Sequence, residues 1–240
     1  MTTCGHIRRL GMVLLAAAGM ALGGCQALTD LVGGGEITPT RAISDVVLPA
    51  VEVQEPGQEH FVTTWLLLGP FTFAEDDFGG AHQQAAAKSE FMPDEEDLNG
   101  TQKAPEGTAW AEKQFEDPNR TGCVEFNQIY PDTEHAAAYA VAWLCAPEKT
   151  CDAKLLIGSD DYITVWINGE KVHTYDTERR ASAADQDTVE GITLKKGHNR
   201  IVVKCVDVVL GWQFFFRLTD KDGKAFAVKA RPAPATPPTP

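Results

Sequence analysis

The chain has 240 residues, 43% of them hydrophobic, with 34 acidic against 21 basic side chains and a net charge of −13 at pH 7. A field of that sign repels nucleic acid and anionic membrane surfaces, so neither is expected as a direct partner. Once the terminal segments are set aside, the length suits one domain with a full hydrophobic core.

The N-terminus reads as an export signal. Arg8-Arg9 precede an apolar run over 10–21 that closes in small side chains, the order expected of a secretory leader. The run is shorter than the roughly 20 apolar residues that span a bilayer. Leu22-Gly23-Gly24-Cys25 follow directly. These four residues resemble the lipobox of bacterial lipoproteins. The resemblance implies cleavage before Cys25, acylation of that thiol, and a mature chain held at the membrane by two or more acyl chains. An ordinary secretory signal with Cys25 merely near the cut is the alternative. Cleavage removes Arg8 and Arg9 and no acid, leaving 19 basic against 34 acidic residues and a net charge of −15. Gln26, rather than an aspartate, follows the cysteine, which by the same resemblance implies sorting to the outer membrane. The expected division is a signal over 1–24, a lipidated N-terminus and flexible linker over 25–57, a β-sandwich over 58–229, and a tail over 230–240. The linker carries Gly33-Gly34-Gly35, and the last ten residues hold five prolines and cannot pack.

A first strand is expected over 61–68, stopped by Gly69-Pro70, and a short helix over 81–91. Asp94 to Asp97 and Asn99-Gly100 read as loop. From residue 136 onward short strands alternate with turn residues: 137–144, 154–157, 163–167, 171–175, 188–194, 200–208 and 213–218. Asn168-Gly169 sits between two of them, and both residues accept the positive φ of a two-residue hairpin loop. Lys196-Gly197 marks another turn. Spacing of roughly 8 to 12 residues with this turn chemistry predicts an all-β, antiparallel sandwich of jelly-roll type.

Four cysteines remain beyond Cys25 in the exported chain: Cys123, Cys145, Cys151 and Cys205. An oxidising compartment permits two disulfides in any of three connectivities. Cys145 and Cys151 flank a short loop read as a hairpin, so they are paired first, and Cys123 with Cys205 follows by elimination. No Cys-x-x-Cys spacing suggests a metal centre instead.

The segment 155–218 has family character. It contains Gly158-Ser159-Asp160-Asp161, then Val165-Trp166-Ile167-Asn168-Gly169, and later Leu194-Lys195-Lys196-Gly197-His198-Asn199. This order resembles the galactose-binding-like jelly-roll modules of bacterial surface proteins. The Ser-Asp-Asp and Asn-Gly portions also resemble the protective-antigen-type lectin domain. The second resemblance implies that Asp160 and Asp161 hold a calcium ion, which in turn grips sugar hydroxyls; Asp185 or Asp187 would add ligands. Adjacent carboxylates suit a hard cation that takes six to eight oxygens. Two alternatives stand beside it: the aspartates cap the turn by accepting backbone N–H bonds, or one of them pairs with Arg180. Trp212, just after Gly211, is the expected stacking platform for a sugar ring, with Arg180 and Asp185 completing the ligand set. Trp166 lies in an apolar strand and reads as core.

Catalysis finds little support. The six histidines lie apart, with no His-x-x-x-His pair and no Gly-x-Ser-x-Gly elbow. A carboxylate pair such as Glu75 and Asp160 can always be drawn among 34 acids. The expected function is therefore a non-catalytic, lipid-anchored envelope module that binds carbohydrate, with calcium as the candidate cofactor and a glycan or an envelope protein as partner. A sandwich serving only as a structural or interaction scaffold is the second reading, and a glycosidase the third.

Overall fold

The structure, a computed structural model, describes residues 60–224 except Pro147. The expected signal, Cys25, the whole of the linker and the tail lie outside the described residues. Ten strands form two antiparallel sheets. In chain order they are β1 (Thr64–Thr72), β2 (Ala109–Gln114), β3 (Cys123–Glu125), β4 (Ala136–Ala146), β5 (Thr150–Asp160), β6 (Tyr162–Ile167), β7 (Glu170–Tyr175), β8 (Asp187–Leu194), β9 (Gly197–Asp207) and β10 (Gln213–Thr219). One sheet runs β2-β1-β4-β9-β6-β7 and the other β3-β10-β5-β8. The all-β sandwich expected from turn spacing is the fold observed.

The two sheets bury a shared core. Along β4, β6 and β9 alternate side chains such as Ala138, Ala140, Val165, Ile201 and Val203 face the other sheet, as the two-residue period of a strand requires. Trp65 from one sheet meets Phe214 and Phe216 of the other edge-on, at centroid distances of 5.2 and 5.5 Å. Such T-shaped contacts add to the area term of burial.

The six-stranded sheet is also covered on its outer face, which is why every residue of β6 is buried. The connection between β1 and β2 folds back over that face. Its Met92 and Leu98 pack with Leu66, Leu68, Tyr139 and Trp166. Trp166 is core, as expected. The helix in this connection is shorter than expected: α1 spans Gln84–Lys88, five residues, and the rest is 3-10 turns and loop.

Several local expectations are corrected. Gly69-Pro70 does not stop the first strand: β1 continues to Thr72, with a register shift against β4 between Leu68 and Phe71. A bulge there absorbs the missing N–H of proline. The edge strand β2 and the short β3 were not expected. The Asn168-Gly169 hairpin is observed, with Ile167 opposite Glu170. The loop between β4 and β5, however, is not a hairpin, because β4 belongs to one sheet and β5 to the other, and the turn at Lys196-Gly197 likewise joins strands of different sheets, β8 and β9. Each is a crossing between sheets.

The disulfides are corrected with them, since the hairpin that argued for Cys145–Cys151 does not exist and no disulfide joins the described cysteines. Cys123 and Cys205 are separate buried thiols, and the Cys205 Sγ lies 3.6 Å from the Asp160 carbonyl. Burial and the nearby carboxylates push the Cys205 thiol well above its ordinary value.

Candidate functional site

Because β5 and β6 lie in different sheets, the chain crosses the sandwich at Asp160-Asp161, through a cis peptide bond. The same end receives the 208–212 turn after β9 and the 176–186 connection from β7 to β8. Loops from distant sequence positions converge there, as they do at the ends of sandwiches generally.

Three aspartates gather at this end. Asp161, 1% exposed, accepts the Val208 N–H at 3.0 Å and the Arg179 Nε–H at 3.2 Å. The Arg180 main-chain N–H supports it as well. Asp160, 8% exposed, accepts a weak bond from Gln213 Nε2 at 3.4 Å and one from the Ser182 main chain. Asp207, at the end of β9, is fully buried, and neither of its carboxylate oxygens has a hydrogen-bond partner among the described residues.

Burial dominates the electrostatics of all three, because a charged carboxylate loses its hydration there. Burial, then the charges of Asp161 and Asp160, push Asp207 up to about 8. Burial and the Asp161 charge push Asp160 up to about 6. Asp161 is also raised by burial, against the opposing pull of the Val208 N–H and the Arg179 guanidinium.

Two glycines allow this packing. A β-carbon on Gly211 would stand 2.5 Å from Asp160 Oδ2, and one on Gly158 would stand 1.8 Å from the Ala183 carbonyl oxygen. Gly158 thus lets the 176–186 loop lie directly on β5. There the loop is tied by Ser159 N–H to Gln186 Oε1 at 3.0 Å.

The expected site residues lie at one end, but with other partners than expected. Arg180 pairs with Asp187 rather than with either of the adjacent aspartates. Its two terminal nitrogens lie 3.1 and 2.6 Å from the Asp187 carboxylate oxygens, one also donates to Ser159 Oγ at 3.0 Å, and the guanidinium covers the Tyr175 ring at 3.5 Å. It is Arg179 that meets Asp161. Burial would raise Asp187, but the Arg180 hydrogen bonds and charge outweigh it and hold that carboxyl below its usual range. His173 also contacts Asp187, at 3.2 Å, and burial lowers His173 in spite of that partner. Asp185, at φ +57°, forms a two-point pair with Arg217. Asp185 and Asp187 are therefore committed to arginines and are not arranged as further cation ligands.

Trp212 is corrected outright. Its side chain is 0% exposed and packs against Phe126 and Tyr130, with ring centroids 4.9 and 5.5 Å away. Its indole N–H donates to the Cys205 carbonyl at 3.3 Å. It supports the loop end from beneath and offers no face to a ligand. The apolar group at the rim is Leu210, 79% exposed and at φ +80°.

Sequence reading missed Asp207 and Leu210, and gave Arg180 the partner that Arg179 holds. For Asp207 a signal existed: one acid within the apolar run Cys205-Val206-Asp207-Val208-Val209. Among the described residues, no three histidine, cysteine or carboxylate side chains close on one point as a ready metal site. No helix among them is long and apolar enough to cross a membrane.

Fold and site together define an antiparallel β-sandwich with a buried carboxylate cluster at one loop end. No family model matches the chain, and no curated protein matches it. Among solved structures it is similar to the PA14 domain of the MpAFP antifreeze protein, at 20% identity over 43% of this chain and 55% of that one, with a TM-score of 0.33. It is similar to a PA14 sugar-binding domain from an RTX adhesin at 14% identity, covering 70% of this chain and 96% of that one, with a TM-score of 0.40. A β-glucuronidase from Ruminococcus gnavus aligns at 12% identity over 67% of this chain and 24% of the enzyme, with a TM-score of 0.33. The chain thus spans about half of the first of these, nearly all of the second and a quarter of the third.

Proposed function

We propose that the sandwich is a non-catalytic carbohydrate-binding module, carried on a lipid anchor at Cys25, and that calcium bound at the Asp160–Asp161–Asp207 end takes part in binding. The observation that carries this reading is Asp207: a buried carboxylate with both oxygens unpartnered among the described residues, set beside two more buried carboxylates, with Arg179 the cation in contact. Ionising a carboxylate in that setting is costly, and a divalent cation is the compensation that the charged form of this donor set fits. Oxygen-only donors suit calcium, which takes further ligands from main-chain carbonyls, water and ligand hydroxyls. When bound, calcium would supply a Lewis-acidic point that holds vicinal hydroxyls. The chain's own part is to position it. Asp161 is braced by the Val208 N–H and Arg179, Asp160 by Gln213 and the Ser182 main chain, and Asp207 by the β4 and β6 strands on either side of β9.

The scaffold reading has its own observation. Asp161 accepts two main-chain N–H bonds and a guanidinium, the contacts of a residue that only caps its turn. A glycan array read with calcium and with a chelator separates the two. Calcium-dependent retention of a defined set of glycans supports the binding module. An array with no retention under either condition supports the scaffold.

A further inference from the structure

At the other end of β6, where β4 crosses to β5 and β8 to β9, lies an open cavity of about 390 Å³. It differs in character from the rest of this acidic chain. Lys195, His198 and Arg200 line it together with Trp143, Asn99 and Asn168, and no described carboxylate does. Asp97 pairs with Arg200 from outside that lining, which leaves Lys195 as the uncompensated cation among the described residues there. The Arg200 Nε is buried without an acceptor among the described residues. Trp143 lines the cavity, half-buried and packed on the outer core of the sheet.

The walls are held rigidly. Asn199, fully buried, accepts the Lys195 N–H at 2.9 Å and the Asn168 Nδ2–H at 2.8 Å. It also donates to the Lys195 and Gly197 carbonyls at 2.8 and 3.0 Å. Asn168 Oδ1 in turn accepts the Arg200 N–H at 3.1 Å. One buried amide therefore fixes the crossing after β8 and the Asn168-Gly169 turn relative to each other. A site built this way has little ordering cost when a ligand arrives.

We infer that this cavity is a second binding site, independent of the carboxylate end, and that its ligand is an acidic saccharide: a sugar residue bearing a carboxylate or sulfate. The half-buried indole of Trp143 meets the C–H face of a pyranose ring, an apolar surface edged by polar groups. Lys195 meets the anionic substituent through charge-assisted hydrogen bonds, Arg200 being held by Asp97 and the Glu96 carbonyl, and the Asn99 and Asn168 amides meet hydroxyls. The volume is that of a small-ligand cleft. Net negative charge elsewhere on the chain disfavours long polyanions, so the site takes one or two acidic residues at a chain end rather than a continuous acidic polymer.

The test is calorimetry on the full mature chain, with chelator present, using digalacturonate and the neutral dimer of galactose as probes. Digalacturonate should bind and the neutral dimer should bind at least ten-fold more weakly. Affinity should fall with added salt, as exposed ion pairing does. Lys195→Glu, at an exposed position, and Trp143→Ala should each weaken binding about ten-fold or more, with Lys195→Glu keeping the wild-type melting temperature. Equal binding of both probes, no binding of either, or a Lys195→Glu variant with unchanged affinity would each overturn the inference. Because calcium is absent throughout, none of these outcomes depends on the carboxylate end.

Discussion

Lys204 on β9 and Glu95 in the connection over the outer face, 109 positions apart, form a buried ion pair with Nζ 2.9 and 3.0 Å from the two carboxylate oxygens. The same Nζ donates to the Ser89 carbonyl at 2.8 Å, and the Tyr139 hydroxyl donates to Glu95 at 2.6 Å. Burial lowers the Lys204 ammonium and Glu95 opposes that shift. The pair pins the 73–108 connection onto the sheet, and the buried Met92 and Leu98 close around it.

Removing one partner should therefore cost more than removing both. Lys204→Met leaves Glu95 buried and unpaired, and should destabilise the fold by about 3–5 kcal/mol. Glu95→Gln combined with Lys204→Met should cost clearly less than the sum of the two single changes. Urea unfolding of the four proteins gives the coupling energy directly. Additive losses would show that the pair does not anchor the connection.

Trp212→Ala should destabilise the domain by about 3–5 kcal/mol, the usual cost of emptying a large aromatic site in a core. Leu210→Ala, at the exposed rim, should leave the unfolding midpoint within experimental error. A Trp212 variant that keeps full stability and loses only ligand would return that residue to the surface role expected from sequence.

Asp207 and Asp160 bring a pH dependence of definite sign. In the calcium-free protein both are held above their unfolded values, to about 8 and about 6. The folded chain therefore binds more protons than the unfolded chain from about pH 4 upward. Their contribution is present in acid and is lost as pH rises through those folded values. Asp207→Asn removes the larger part. Relative to wild type, the variant should gain stability as pH rises from 4 to 8. The gain should reach several kcal/mol, since each tenfold difference in proton affinity between the folded and unfolded chain is worth about 1.4 kcal/mol. Denaturant unfolding at a series of pH values, in chelator, checks the slope. Parallel curves for the two proteins would mean that Asp207 is not raised.

Much of the sandwich was legible because strand period and turn chemistry are local. Asn168-Gly169 makes its hairpin from two residues that tolerate positive φ, φ 55° and 85° in the fold. The sheet to which a strand belongs is not local. The loop between β4 and β5 reads as a hairpin in sequence and Lys196-Gly197 as a plain turn, yet both cross between sheets, and the expected disulfide fell with the first of them. β2 was missed because an edge strand buries little: none of its six residues is buried.

At the candidate site, Asp160 and Asp161 were legible as a motif, but their partners were not. Arg179 and Arg180 are neighbours in sequence, and only the lie of the loop on Gly158 decides which meets Asp161. Lys204 and Asp207 shared one signal, a charged residue inside an apolar strand, whose meaning depends on what packs against it.

The membrane address is tested by fractionation. Cys25→Ser should move the protein from the membrane to the soluble fraction, and mass spectrometry of the wild-type N-terminus should find acylated Cys25. An intact, unacylated Cys25 in envelope protein would contradict the anchor.

Calcium titration calorimetry on the mature chain at pH 8 decides whether the carboxylate end holds the ion. One calcium should bind per chain, with a calcium-dependent rise in melting temperature and proton release as Asp207 ionises, and all three should be lost in a folded Asp207→Asn variant. No heat and no shift in melting temperature with calcium would contradict that assignment, and would leave Asp160 and Asp161 as turn caps and Asp207 as a buried neutral acid.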